Sequence, residues 1–283
     1  MLFEQLIVIG LITGAVYSLV GVGFTLVLGV GKIANFAHGS FVAVGLYFAL
    51  TLKDHLGANP YVALVPGLVF FTIVALGVAE LFERRGRKVG EIGELLIGLA
   101  LLLLVGGLLE TVYGDKPRTL EGLTAGSVHI FGLVLSGTEI IAAVFTFVLA
   151  AATYVFVRRT RWGRAMQAVA EDPEAAGLYG VHVPVAQRAA VVISIVIAGI
   201  AGILISPFTV ITPGIGTNYL ISAFAVVIIG GIGNTLGAVG AGLAIGVIES
   251  LSSGYLASYW TTLAPLLVIL IVLLVQPERE LAK

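Results

Sequence analysis

The strongest constraint on this chain is a series of apolar stretches, each about the length an α-helix needs to cross the roughly 30 Å hydrocarbon core of a bilayer. They run at about 6–28, 35–52, 61–82, 92–109, 138–157 and 189–206, with a last one at 260–275. Between the final two lies an apolar run from Tyr219 to Ser250, too long for a single crossing. Gly230-Gly-Ile-Gly-Asn-Thr235 interrupts it, giving a short segment and then a longer one. The expected fold is an all-α polytopic membrane protein with about eight full transmembrane helices plus one short or broken helix. It is expected to form a single transmembrane domain over 1–283. The short alternating pattern of an outer-membrane barrel is absent.

Charge is scarce: 11% of residues are charged and 59% are hydrophobic. A soluble domain could not hide that much apolar surface. The longest polar interruption, about 158–188, therefore stands out. It opens on Arg158-Arg-Thr-Arg-Trp-Gly-Arg164 and is too charged to lie in hydrocarbon. It reads as helix, turn, helix. Arg164 to Ala170 can coil, Asp172-Pro173 can start a second helix, and Gly177 or Gly180 can end it. With no core of its own, it is expected to dock on a cytoplasmic partner.

The basic residues give an orientation. Lys32, Arg84, Arg85, Arg87, Lys88, Arg158, Arg159, Arg161, Arg164, Arg188, Arg279 and Lys283 fall on one side of the nine-crossing topology. Only Lys53, Lys116 and Arg118 fall on the other. Positive loops stay inside, so the N-terminus is expected outside and the C-terminus in the cytoplasm. Before Lys32 the N-terminal stretch carries Glu4 and no basic residue, and is expected to be a retained first helix rather than a cleaved leader.

Several chemistries are excluded. There is no cysteine, so disulfide, thiolate and Cys-based metal chemistry are ruled out. His38, His55, His129 and His182 lack metal-ligand spacing, and neither metal nor cofactor is expected. Gly29-Val-Gly-Lys32 is not a phosphate loop, because Leu26 and Ile33 occupy positions that need Gly and Ser or Thr. ATP would have to be handled by another chain. No His-Glu-x-x-His run supports an intramembrane enzyme, and no carboxylate cluster supports an ion-coupled secondary transporter or channel.

Two interruptions look alike. Gly29 to Gly39 and Gly230 to Gly237 each carry paired glycines, then Asn, then small residues opening a helix. Irregular backbone at membrane depth is tolerated only inside protein or beside a wet cavity. Both are candidates for the core of a translocation path, with Thr25, Asn35, His38, Ser40 and Asn234 as its polar residues. The alternative for Asn35 and His38 is capping and interhelical hydrogen bonding. The intraspan glycines, among them Gly10, Gly14, Gly106, Gly199, Gly202, Gly242 and Gly246, read as close-packing positions or as hinge and pore lining. Glu110, Glu139 and Glu249, near span ends, are expected to be solvated rather than to form a proton relay. The outer stretches Asp115–Thr119 and Gly126–Gly132 are expected to make short turns.

Together these features resemble a known family. Asn35-Phe-Ala-His-Gly-Ser-Phe41, Tyr113-Gly-Asp-Lys-Pro-Arg118, Thr160-Arg-Trp-Gly-Arg-Ala165, Asp172-Pro-Glu-Ala-Ala-Gly177 and Ala225 to Asn234 are similar to the permease subunit of branched-chain amino acid ABC importers, specifically the subunit with the Asn-Phe-Ala-His-Gly signature. The resemblance implies an inner-membrane subunit of a prokaryotic cell that forms half of the path for leucine, isoleucine and valine. Urea, short-chain amides or other amino acids are the alternative cargoes. It implies a sister permease, two ATPase subunits and an extracytoplasmic binding protein as partners, and no nucleic acid. It also makes 158–188 the coupling loop that the ATPases grip, through Arg164, Glu171, Asp172, Glu174, Ala175, Ala176, Gly177 and Gly180. The family's Glu-Ala-Ala, three residues, Gly pattern is met by Glu174, Ala175, Ala176 and Gly180. The Ile-x-Leu-Pro that follows it in other importers is absent. Small side chains there would seat closely in a partner's cleft.

Overall fold

The computed structural model describes residues 2–33, 35–57, 59–86, 89–120, 126–130, 133–256 and 260–275. Arg87, Lys88, Arg279 and Lys283, used in the orientation argument, lie outside them. The long helices are α1 (Leu2–Gly29), α2 (His38–Leu56), α3 (Leu64–Leu81), α4 (Glu91–Tyr113) and α5 (Gly137–Arg159). A 3₁₀ turn, Pro60–Ala63, leads into α3, and a π turn, Phe82–Gly86, closes it. Two short helices follow, α6 (Arg161–Glu171) and α7 (Pro173–Leu178). The bundle resumes with α8 (Val183–Ile205), α9 (Ile215–Gly230), α10 (Thr235–Tyr255) and α11 (Trp260–Val275). Six helical stretches are long and apolar enough to cross a membrane, and α9 and α11 are shorter apolar helices. The architecture is that of an all-α polytopic membrane protein. One small departure is an antiparallel hairpin, β1 (Ser127–Ile130) against β2 (Leu133–Ser136), with Ser127 opposite Ser136. It falls where short turns were expected.

The centre of the bundle is an antiparallel pair, α1 against α10, built on small residues four apart. Gly10, Gly14 and Ser18 on α1 face Gly242, Gly246 and Ser250 on α10. A Cβ placed on Gly246 would lie 2.3 Å from the Gly14 Cα, and one on Gly14 would lie 2.8 Å from the Leu243 Cα. No side chain fits, so the backbones approach until dispersion acts over the whole contact. Ser18 Oγ donates to the Val239 carbonyl at 2.8 Å and Ser250 Oγ to the Leu6 carbonyl at 2.7 Å, tying the seam at two heights. α2 and α8 approach the same way: a Cβ at Gly45 would meet the Gly199 carbonyl at 2.1 Å. Gly106 differs. Nothing lies within 4 Å of its added Cβ, so it packs against no neighbour.

The chain between α1 and α2 does not stay at the surface. His38, the first residue of α2, bonds the Val20 carbonyl, nine residues before the end of α1 and about 14 Å along its axis. Ile33, Asn35 and Ala37 are buried. The irregular segment therefore climbs inside the protein to about a third of the length of α1, where protein rather than lipid surrounds it. α9 also starts at depth. Tyr219 on its second turn packs edge-on to Tyr17, in the middle of α1, with ring centroids 6.0 Å apart.

Two ends of different character result. One holds Lys32, Arg84, Arg85, Arg158, Arg159, Arg161, Arg164 and Arg188; the other, among the described residues, holds Lys53, Lys116 and Arg118. At the sparsely charged end, Arg118 exchanges two backbone hydrogen bonds with Ile211, 3.0 and 2.8 Å. Its guanidinium reaches the Tyr113 carbonyl at 2.9 Å and stands 3.9 Å from Asp54. The Tyr113 hydroxyl in turn bonds Thr51. Tyr113-Gly-Asp-Lys-Pro-Arg118 thus laces α2, α4 and the approach to α9 together.

Candidate functional site

The polar stretch between α5 and α8 forms a helical hairpin at the basic end, and each turn of it has a local cause. Thr160 caps α6: its Oγ1 accepts from the Gly163 N–H at 2.9 Å. Gly163 follows because a Cβ there would lie 2.3 Å from the Phe156 carbonyl, so only glycine lets α6 fold back on the end of α5. Asp172 caps α7, its Oδ1 accepting from Glu174 and Ala175 N–H at 2.9 and 3.0 Å, with Pro173 in the first turn. Gly180, at φ +85°, ends α7 in the left-handed conformation that glycine takes without strain. The Val181 N–H then returns to the Ala176 carbonyl at 3.0 Å.

The expectation that this element has no core is corrected. Met166, Val169 and Ala176 are buried against Val30, Ala186 and Ala190, a small apolar cluster shared with the ends of α1 and α8. Two polar links reinforce it. Lys32 Nζ donates to the Ala170 carbonyl at 3.2 Å, placing a cation at the negative end of the α6 dipole. Arg188, at the start of α8, pairs with Glu80 at 3.1 Å and Glu83 at 3.6 Å on α3 and its π turn. The cluster and Lys32 therefore hold the hairpin to the ends of α1 and α8, and Arg188 ties the start of α8 to α3.

Of the eight residues that the motif suggested for docking, Ala176 alone is buried. Ala176 is 5% exposed and faces the protein's own Met166, so it offers no partner a surface. Gly180 and Asp172 shape the backbone. Arg164, Glu171, Glu174 and Gly177 are exposed, and Ala175 is half-buried. The most prominent groups are Leu178 and Tyr179, 89% and 90% exposed, side by side at the end of α7. Sequence reasoning passed over this pair. Their signal was only that two large side chains stand between Gly177 and Gly180 in a polar stretch.

The five candidate path residues are not brought together. His38 is enclosed: its Nε2–H donates to the Val20 carbonyl at 3.0 Å and its Nδ1 accepts from Ser194 at 3.1 Å. It bridges α1, α2 and α8. Asn35 Oδ1 accepts from the Ala37 N–H at 3.1 Å, while its buried Nδ2 meets no partner among the described residues. Thr25 clips α1 to the glycine turn, accepting from Gly233 N–H at 2.8 Å and donating to the Gly231 carbonyl at 3.3 Å. Asn234 is exposed and caps α10 through Gly237 N–H at 3.0 Å. Ser40 alone of the five lines a cavity, about 350 Å³, with Gly106, Glu110 and Thr217.

A second cavity of about 400 Å³ holds the larger share of polar groups. Its wall includes Tyr17, Asn218, Tyr219, Ser222 and Glu249. This corrects the reading of Glu249 as a solvated end group. It sits six residues before the end of α10, its Oε2 is buried, and it interacts with the Tyr17 hydroxyl across the helix seam. The two cavities flank opposite sides of the start of α9: Pro213, Gly214, Gly216 and Thr217 face one, Ile215, Asn218 and Tyr219 the other.

Comparison with known proteins gives a consistent result. The pattern of the family described as "Branched-chain amino acid transport system / permease component" matches residues 6–275. The high-affinity branched-chain amino acid transport system permease protein LivH of Escherichia coli K12 is 28% identical over 295 residues, covering 99% of this chain and 96% of that protein. BraD of Pseudomonas aeruginosa, described in the same words, is 29% identical with the same coverage. A probable branched-chain amino acid transport permease protein LivH of Methanocaldococcus jannaschii is 33% identical over 254 residues, 86% of this chain and 79% of that one. Among solved structures, PsaBC from Streptococcus pneumoniae in complex with Fab shares the fold. The TM-score is 0.51 at 12% identity, covering 99% of this chain and 93% of that one.

Proposed function

The chain belongs to the family of branched-chain amino acid transport permease components, and from that premise we propose that it is one half of an importer's membrane path, driven through the α6–α7 hairpin by separate ATPase subunits. The observation that carries this reading is the contrast between how firmly the hairpin is held and how fully its tip is exposed. Caps, a buried cluster and the Lys32 link fix it as a lever on the ends of α1 and α8. Leu178 and Tyr179 leave that lever with unburied apolar area at the basic end. A pair of large exposed side chains on a preorganised support is suited to anchor a partner, since the ordering cost has already been met.

Movement transmitted this way needs no catalytic residue in this chain. Each conformation has only to be bound differently by the ATPases and by the extracytoplasmic binding protein. A sister permease supplies the other half of the path. The basic end faces the cytoplasm, and cargo enters from the end laced by Arg118. The cargo is leucine, isoleucine or valine.

Leu178→Asp combined with Tyr179→Asp is expected to leave the permease inserted and folded while it loses co-purification with the ATPase subunits and ATP-dependent leucine uptake in proteoliposomes. Uptake of leucine by the reconstituted chain without ATPases, or normal co-purification of the double variant, overturns the proposal.

A further inference from the structure

We propose that Glu249 and the first turns of α9 form a holding site for the zwitterionic head of an α-amino acid in transit, an inference that rests on the transport reading above. The site is the 400 Å³ cavity walled by α1, α9, α10 and α11 and by the stretch after α8. Three observations point to an amino acid rather than to water or a neutral solute.

The first is the carboxylate. Glu249 lines the cavity, its carboxyl interacts with the Tyr17 hydroxyl, and its Oε2 is enclosed with no hydrogen-bond partner among the described residues. Among the described residues, no Lys, Arg or His lines the cavity. A buried anion without a cation is costly, and a ligand ammonium is the group that would relieve it. The second is the helix end. α9 begins at depth, and Ile215, Asn218 and Tyr219 of its opening turns border the same space. The N-terminal end of a helix that starts inside a membrane protein carries partial positive charge and favours a carboxylate. The cavity thus offers an anion on α10 and a positive dipole end on α9. The third is the remaining lining. Phe208, Val210, Ile221 and Pro265 supply apolar surface beside the hydroxyls of Tyr17 and Ser222. An aliphatic side chain finds contacts there, as pockets for small ligands generally provide.

The arrangement is orderly without being tight. Tyr17 packs edge-on to Tyr219, whose hydroxyl stands 3.5 Å from Thr209 Oγ1, so aromatic groups fix the wall beside Glu249. Pro265 interrupts the backbone bonding of α11 where that helix borders the cavity. A site of this kind prefers an ammonium-bearing cargo over urea or an amide, which present no cation to Glu249.

The test uses the assembled complex in proteoliposomes. Glu249→Gln keeps the shape and removes the charge. Initial leucine uptake at low concentration is expected to fall by about 10-fold or more, the loss of one charge-assisted hydrogen bond, with ATPase co-purification unchanged. Leucine uptake equal to that of the unaltered complex overturns the holding site while leaving the transport reading in place. Absence of leucine uptake by the unaltered complex defeats the transport reading itself. A second measurement needs no variant. Carbodiimide labelling of Glu249 in the unaltered complex, read by peptide mass spectrometry, is expected to be reduced by leucine and not by isovaleramide, which has the same aliphatic end and no charge. Equal labelling with both compounds, or no labelling, overturns the site.

Discussion

Single residues in this protein act mostly by what they allow helices to do. His38 is the clearest case: a ring with no exposed surface satisfies the Val20 carbonyl and the Ser194 hydroxyl at once. Replacing it by alanine removes the ring from both partners inside the bundle, a cost of about 1–3 kcal/mol for an unsatisfied buried group. His38→Ala is therefore expected to lower resistance to denaturation in detergent, and unchanged unfolding would contradict the clamp. Asp172→Ala acts more gently. Loss of the α7 cap costs about 1 kcal/mol, confined to a short helix. Faster amide exchange across 173–178, with the transmembrane helices unaffected, is the outcome expected. Glycines divide by their surroundings: Gly246 meets the Gly14 backbone, Gly106 meets nothing.

At the scale of elements, the α1–α10 seam and the α6–α7 hairpin carry different loads. The seam works by excluding side chains. A valine at Gly246 would force two backbones apart, and overpacking of this kind costs typically about 1–3 kcal/mol and more where backbone must move. Gly246→Val is expected to reduce the yield of folded protein sharply, whereas Gly106→Val is expected to leave it unchanged. Purification yield and thermal unfolding in one detergent separate the two. The hairpin works by joining several helices to one small cluster. Two neighbouring positions test this division of labour. Ala176→Arg drives a charge into the Met166 cluster and is expected to loosen the whole hairpin. Leu178→Arg changes only an exposed tip and is expected to spare the hairpin and abolish ATPase association. Limited proteolysis together with co-purification distinguishes a broken lever from a missing contact. The Arg188 pairs with Glu80 and Glu83 are part-exposed and add little to stability, so Arg188 acts as a tether rather than a source of energy.

For the molecule as a whole, the asymmetry of charge between its ends makes orientation testable. The chain has no cysteine, so any introduced one is a unique label. Cysteine at Tyr179 is expected to react with a membrane-impermeant maleimide only after cells are opened, and cysteine at Asp115 in intact cells; the reverse pattern would invert the topology. Which parts of this were legible beforehand follows from the range of the forces involved. Crossing a bilayer demands about 20 apolar residues in succession, a local requirement, so the helices and the polar hairpin could be read from the order of residues alone. Caps are equally local, which is why Asp172-Pro173 and Gly180 already marked where α7 begins and ends, whereas the Thr160 cap starts α6 three residues before the expected Arg164. Depth and facing are not local. That 33–37 climbs inside the protein, that Ala176 turns inward while Leu178 and Tyr179 turn out, and that Glu249 meets Tyr17 across the bundle depend on partners up to 232 positions away. The sequence by itself determined the membrane class, the order of the apolar helices and the position of the polar hairpin. Only tertiary packing decided which side chains close the protein and which are left facing a cavity or a partner, because burial belongs to the pair of surfaces that meet and not to either strand of sequence alone.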